Sequence, residues 1–167
     1  MGDAALEFNY YPNFVPDRYF EETCALWRVL DEHSGNRTEP RTEEEAHRDF
    51  SLLQERVRAG QSVFLCALDG QKLVAMATMT LPLESKSRAR IDDVARLEIP
   101  VYKGVGTVLM ELFFWYAERK GLRECTWTCD DKSRAGGTRV YRALPGVDWW
   151  PEADTVRYVM KLPYRRV

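Results

Sequence analysis

Apolar side chains recur along the chain at two different periods. Residues 15–35 carry Phe20, Cys24, Leu26, Trp27 and Leu30 at helical spacing, open on a proline with early acids, and end at Gly35, which predicts a first helix. Residues 41–60 repeat the pattern with Ala46, Phe50, Leu53 and Val57 before Gly60. Thr42, with Glu45 three residues on, has the spacing of a capping box and sets the start of this second helix. From residue 62 the period changes: SVFLCALDG and KLVAMATMTLPL have strand character and are joined by Asp69-Gly70, a hairpin signal. Residues 89–99 predict a third long strand. The next helix carries Val108, Leu109, Leu112, Phe113 and Tyr116 on one side, with Glu111 and Glu118 on another, and closes at Gly121. A strand over 124–131, a short helical segment over 133–144 and two antiparallel runs, 147–150 and 154–162, complete the order, with residues 6–11 as a first strand. A strand, crossover helix and strand in the centre require a parallel pair, whereas the hairpins require antiparallel pairing elsewhere. The expectation is an α+β or α/β fold, a mixed and mostly antiparallel sheet flanked by helices. No repeat or linker divides residues 1–167, so a single domain is expected.

Composition narrows the functions such a domain can serve. The chain has 24 basic and 26 acidic residues mixed along its length, which leaves no electrostatic footprint for nucleic acid or an anionic membrane. The opening residues lack the basic start and long apolar centre of a signal peptide, and no 18-residue apolar stretch exists. A cytoplasmic protein is expected. Cys24, Cys66, Cys125 and Cys129 lack paired zinc spacing, and His33 and His47 lie far from most of them in sequence. No metal is expected, and the cysteines read as free thiols, mostly buried.

The chemistry concentrates where the third strand meets the central helix, at IPVYKGVGTVLM. The first N–H groups of a helix lack internal partners and carry a partial positive charge, so a helix preceded by bare glycine backbone is suited to an anion. Gly104 and Gly106 expose the backbone, Lys103 adds a cation and Thr107 a hydroxyl. A P-loop is excluded, because one residue separates these glycines where four are needed and no Lys-Ser/Thr follows. The dinucleotide fingerprint fits poorly as well, because Leu109 occupies its third small position.

Ile91, Asp92 and Asp93, followed by Gly104 and Gly106 at the head of a helix, resemble the acetyl-CoA-binding motif of the GNAT superfamily of N-acetyltransferases. Val101 stands where that family usually has Gln or Arg. The segment TRVYRALPGVDWW is similar to the family's Ala-x-x-Leu-Tyr-x-x-x-Gly-Phe stretch, with Tyr141 at the tyrosine, Gly137 replacing the alanine, and Gly146-Val147 one residue late for Gly-Phe. TVRYVMKL is similar to the closing strand. The resemblance implies that acetyl-CoA is the co-substrate, its pyrophosphate held by N–H groups from Tyr102 through Lys103, Gly104, Val105 and Gly106 to Thr107. It further implies that pantetheine runs along Val94, Ala95 and Arg96, with Ser133 and Arg134 as further contacts to CoA.

The implied reaction is acyl transfer to an amine, which is a nucleophile only when neutral. Asp92 or Asp93, on opposite faces of an ideal strand, is the candidate base or anchor of a basic water, with Asp92 ranked first because it matches the family position. An ordinary Asp pKa of about 3.9 is low for this task, so burial or a water relay is required. Tyr141, ordinarily near 10, is the candidate acid for the departing thiolate. Trp149 and Trp150 are candidates to wall an acceptor pocket, although core packing is the expected use of at least one. Three readings stay open: acetylation of a small-molecule amine, acetylation of a protein N-terminus or lysine, and a non-catalytic CoA-binding or interaction module. A homodimer is compatible with each.

Overall fold

The structure is a computed structural model that describes residues 5–33, 39–82, 87–130 and 137–165. Among these residues seven strands form one sheet in the order β1-β2-β3-β4-β5-β7-β6. They are β1 (Glu7–Tyr11), β2 (Ser62–Asp69), β3 (Lys72–Thr80), β4 (Arg88–Arg96), β5 (Glu124–Asp130), β6 (Val147–Glu152) and β7 (Thr155–Lys161). The helices are α1 (Phe20–His33), α2 (Glu43–Arg58), α3 (Val105–Arg119) and α4 (Gly137–Arg142). All neighbouring strands are antiparallel except β4 and β5. Helix α3 crosses between those two, as the predicted order requires.

Local signals set several boundaries. Thr42 accepts from the Glu45 N–H while Glu45 accepts from the Thr42 N–H, so both halves of the capping box form. Gly70 turns the β2–β3 hairpin at φ 61°. Strands β2 and β3 are buried on both faces because helices cover both. Val63, Leu65, Ala67, Ala77 and Met79 join a core under α3, whereas Phe64, Cys66, Leu68, Leu73 and Met76 join a second core under α1 and α2.

Two expectations need correction. In α3 the buried stripe runs through Val105, Leu109, Met110, Phe113, Phe114, Tyr116 and Ala117, while Val108 is exposed. The helix starts earlier than residue 107, and its contact face is rotated towards Met110 and Phe114. Trp149 and Trp150 lie exposed on β6, an edge strand at the far end of the sheet. Trp149 packs under the Arg142 guanidinium at 4.0 Å, so neither tryptophan fills the core and neither walls the cleft described below. Cys66 and Cys125 are buried, and all four cysteines are free thiols. No helix of the described residues is long and apolar enough to cross a membrane.

Candidate active site

Strand β4 loses its register with β3 at its acidic pair. Thr78 lies opposite Asp93 but Met79 lies opposite Ile91, so Asp92 is the extra residue of a β-bulge. The phase slip shows on the buried face: Ala89, Ile91 and Val94 all pack in the α3-side core, the last pair spaced three positions apart rather than two. Asp92 and Asp93 consequently face the same way, into a cleft on the α1–α2 side of the sheet. The period-two expectation that they point to opposite faces fails for this reason.

The cleft has a volume of about 260 Å³ and draws its walls from α1 (Trp27), α2 (Asp49, Leu52, Leu53, Arg56), β2 (Ser62), β3 (Thr78) and β4, with Arg41 just before α2. The two carboxylates differ within it. Asp93 accepts from Trp27 Nε1 at 3.3 Å and Thr78 Oγ1 at 3.2 Å, both on Oδ2. Burial pushes its carboxyl above the usual range, against the opposing pull of Arg41 and of these two donors. Asp92 is bound by Thr80 Oγ1 and by Arg90 Nε, and its side chain is 25% exposed. Asp93 thus has the environment of a base shifted towards neutrality by burial. Arg41, whose guanidinium lies 4.8 Å over the Trp27 ring, ties the helices together through Asp31 at 3.4 Å and Asp49 at 3.5 Å.

On its other edge β4 pairs with β5 only from Arg88 to Arg90, against Glu124 to Thr126. Strand β5 continues along β7 to Asp130, so the sheet splays, and among the described residues no strand pairs with the β5-facing backbone edge of Ile91 to Arg96. Val94, Ala95 and Arg96 pair with β3 on their other side alone. An extended chain carrying amides can add to such an edge.

Helix α3 begins beside this opening. Gly104 caps it at φ 90°, a left-handed conformation that a side chain strains. The first helical hydrogen bond runs from Val108 N–H to the Gly104 carbonyl at 3.3 Å, so among the described residues the N–H groups of Gly104, Val105, Gly106 and Thr107 form an unpaired first turn. The expected cradle from Tyr102 to Thr107 is thereby shortened. The Tyr102 and Lys103 N–H groups donate to the Ile99 and Pro100 carbonyls, and the buried Tyr102 hydroxyl donates to Asp69 at 2.6 Å. Lys103 is exposed, and Val101 is 75% exposed. A Cβ built on Gly106 would meet Val94 Cγ1 at 3.5 Å, an ordinary contact. Packing therefore leaves room for a Cβ at 106, and the bare backbone there fits the close approach of a diphosphate.

Tyr141 packs edge-on against Trp127 and Tyr158, at 5.6 and 5.3 Å between ring centroids. Burial raises its phenol further above the ordinary value, which keeps it protonated at working pH. Ser133 and Arg134 lie outside the described residues. Sequence reasoning missed Trp27, Thr78, Arg41 and Arg56 as parts of the site. Trp27 was legible only as one of the apolar positions of α1, and no local pattern marked the others.

The model of the family described as acetyltransferase (GNAT) matches residues 21–144. Among solved structures, the PaiA N-acetyltransferase of Thermoplasma acidophilum in complex with coenzyme A superposes with a TM-score of 0.72 at 13% identity, over 94% of this chain and 99% of that one. An acetyltransferase of Thermus thermophilus gives 0.71 at 16% identity, over 97% and 100%. The ribosomal-protein-S18-alanine N-acetyltransferase of Escherichia coli gives 0.64 at 15% identity, over 97% of each chain. At these identities the likeness is one of fold. No curated protein matches the sequence.

Proposed function

The chain belongs to the acetyltransferase (GNAT) family, and from that premise we propose that it transfers an acetyl group from acetyl-CoA to the primary amine of a small molecule. The observation that carries this reading is the double change in β4: the bulge turns two carboxylates into one cleft, and directly beside it the strand loses its β5 partner. An acceptor held on one side of β4 thus meets a donor laid against its open edge. The cleft volume of about 260 Å³ favours a small acceptor over a folded polypeptide.

The co-substrate supplies an activated acyl thioester; the chain supplies position and proton transfer. The first-turn amides of Gly104 to Thr107 and the α3 dipole bind the pyrophosphate, with Lys103 adding charge in place of the basic side chain that Val101 lacks. The free edge of Val94 to Arg96 aligns the pantetheine amides. Asp93 accepts one proton of the acceptor ammonium, directly or through one water, so that the nitrogen lone pair can form the new C–N bond; the nitrogen gives up its second proton to solvent as the C–S bond breaks. Tyr141 gives the departing sulfur a proton or a hydrogen bond. Its raised pKa makes it a weak acid but a phenol that is always charged with its proton.

The test is release of free thiol from acetyl-CoA across a panel of amines, with calorimetric titration of acetyl-CoA alone. Binding plus amine-dependent thiol release is expected. Binding without release for any amine would leave the non-catalytic reading, and absence of binding would remove the co-substrate assignment.

A further inference from the structure

Among the described residues six charged side chains line the cleft: Asp49, Asp92 and Asp93 against Arg41, Arg56 and Arg90. Four of them satisfy one another. Arg90 donates to Asp92, and Arg41 lies 3.5 Å from Asp49 while also holding Asp31. Among the described residues this leaves one carboxylate, Asp93, and one guanidinium, Arg56, without an ion-pair partner. The cation that acts on Asp93 is Arg41, and Arg56 stands apart from that pair, exposed near the C-terminal end of α2 with Leu52 and Leu53 between it and Asp49 in sequence.

A site for a polyamine or an aminoglycoside would line its cleft with acids, because every guanidinium on the wall repels a polycation. Here three guanidiniums offset three carboxylates, so the cleft has no acidic excess to hold that class. The charges left over, one of each sign, match a ligand that carries one of each sign itself. A guanidinium pairs with a carboxylate through two parallel N–H donors, and the single negative charge of a carboxylate balances Arg56, whereas a phosphate would stay half neutralised. The cleft, at about 260 Å³, falls just below the range of roughly 300–1,000 Å³ typical for drug-sized ligands.

Resting on the transferase reading above, we infer that the acceptor is a free amino acid, its amine delivered to Asp93 and its carboxylate held by Arg56. Leu52 and Leu53 offer apolar contact to its side chain.

The inference is tested by thiol release with a panel of free amino acids, the amines obtained by removing the carboxyl group from each, spermidine, and short peptides with free α-amines. Loss of a hydrogen-bonded charge pair predicts a kcat/KM about tenfold or more higher for the best amino acid than for its decarboxylated amine. In Arg56→Ala that ratio narrows through a raised KM for the amino acid, and Arg56→Lys restores part of it. Equal use of the decarboxylated amine or spermidine, preference for peptides, or a ratio unchanged in Arg56→Ala would overturn the assignment while leaving the transferase intact. Absence of thiol release with every amine would overturn both.

Discussion

At the scale of single residues, Asp92 and Asp93 show how neighbours of identical chemistry acquire different roles. The sequence marks both as acids on a strand, and the family position favours Asp92. The fold instead buries Asp93 against Trp27 and Thr78 and leaves Asp92 tied to Arg90. Partners 66 and 15 residues away create that difference, and nothing in the local pattern carries it. Asp93→Asn should lower kcat/KM on the order of a hundredfold, and the parent's acid limb should lie above the ordinary carboxylate range, as a pH–rate profile would show. The same raised pKa has a stability consequence. A carboxyl whose folded value exceeds its unfolded value binds its proton more tightly when folded. Stability therefore falls as pH climbs from the unfolded to the folded value and levels off above it. Asp93→Asn, which keeps an acceptor for Trp27 and Thr78, should melt higher than the parent at neutral pH and equal to it near pH 3, with thermal denaturation at both as the check. Tyr141→Phe keeps its ring contacts with Trp127 and Tyr158, so turnover should drop with CoA affinity nearly unchanged; an unaltered kcat would take Tyr141 out of the mechanism.

Among the elements, those set by local chemistry were legible in advance. The Thr42–Glu45 box, the Asp69-Gly70 hairpin and the glycine turn before α3 each depend on residues a few positions apart, and each formed where its residue types demand. What escaped was phase. A bulge at Asp92 shifts a strand face by one residue without changing its composition, and the rotation of α3 that exposes Val108 follows from what the helix covers in β3 and β4. The glycine turn also illustrates two distinct demands on glycine. Gly104 is required by its own backbone at φ 90°, whereas Gly106 sits in helical backbone with ordinary space around its Cβ position. Gly106→Val should therefore fold, with a small change in melting temperature, yet weaken acetyl-CoA binding by about tenfold or more as its methyls crowd the first-turn donors. Titration calorimetry on the folded variant distinguishes the two effects, and retained affinity would remove the pyrophosphate from this turn.

For the molecule as a whole, the decisive feature is that the sheet is nearly two sheets. Strands β1 to β4 with α1 and α2 form one body, β5 to β7 with α4 another. Their strands are joined by three paired residues on each side and by α3, which packs on both. That topology follows from the order of elements, but the early parting of β4 from β5 does not, because a parallel pair of these lengths could have zipped to its end. The short seam makes the β5–β7 body the weaker unit, since local opening costs least where the fewest buried contacts must break. Backbone amides of β5 and β7 should exchange with solvent faster than those of β2 and β3, which are buried on both faces. A ligand that lies in the wedge touches both bodies and is lost when they part. At one hundred times its dissociation constant it should add about 2.7 kcal/mol to the opening free energy. Hydrogen exchange with and without acetyl-CoA reads this directly: protection gained across β4, β5 and β7 together places the ligand between them, whereas protection confined to the start of α3 would mean that the splayed edge of β4 takes no part in binding.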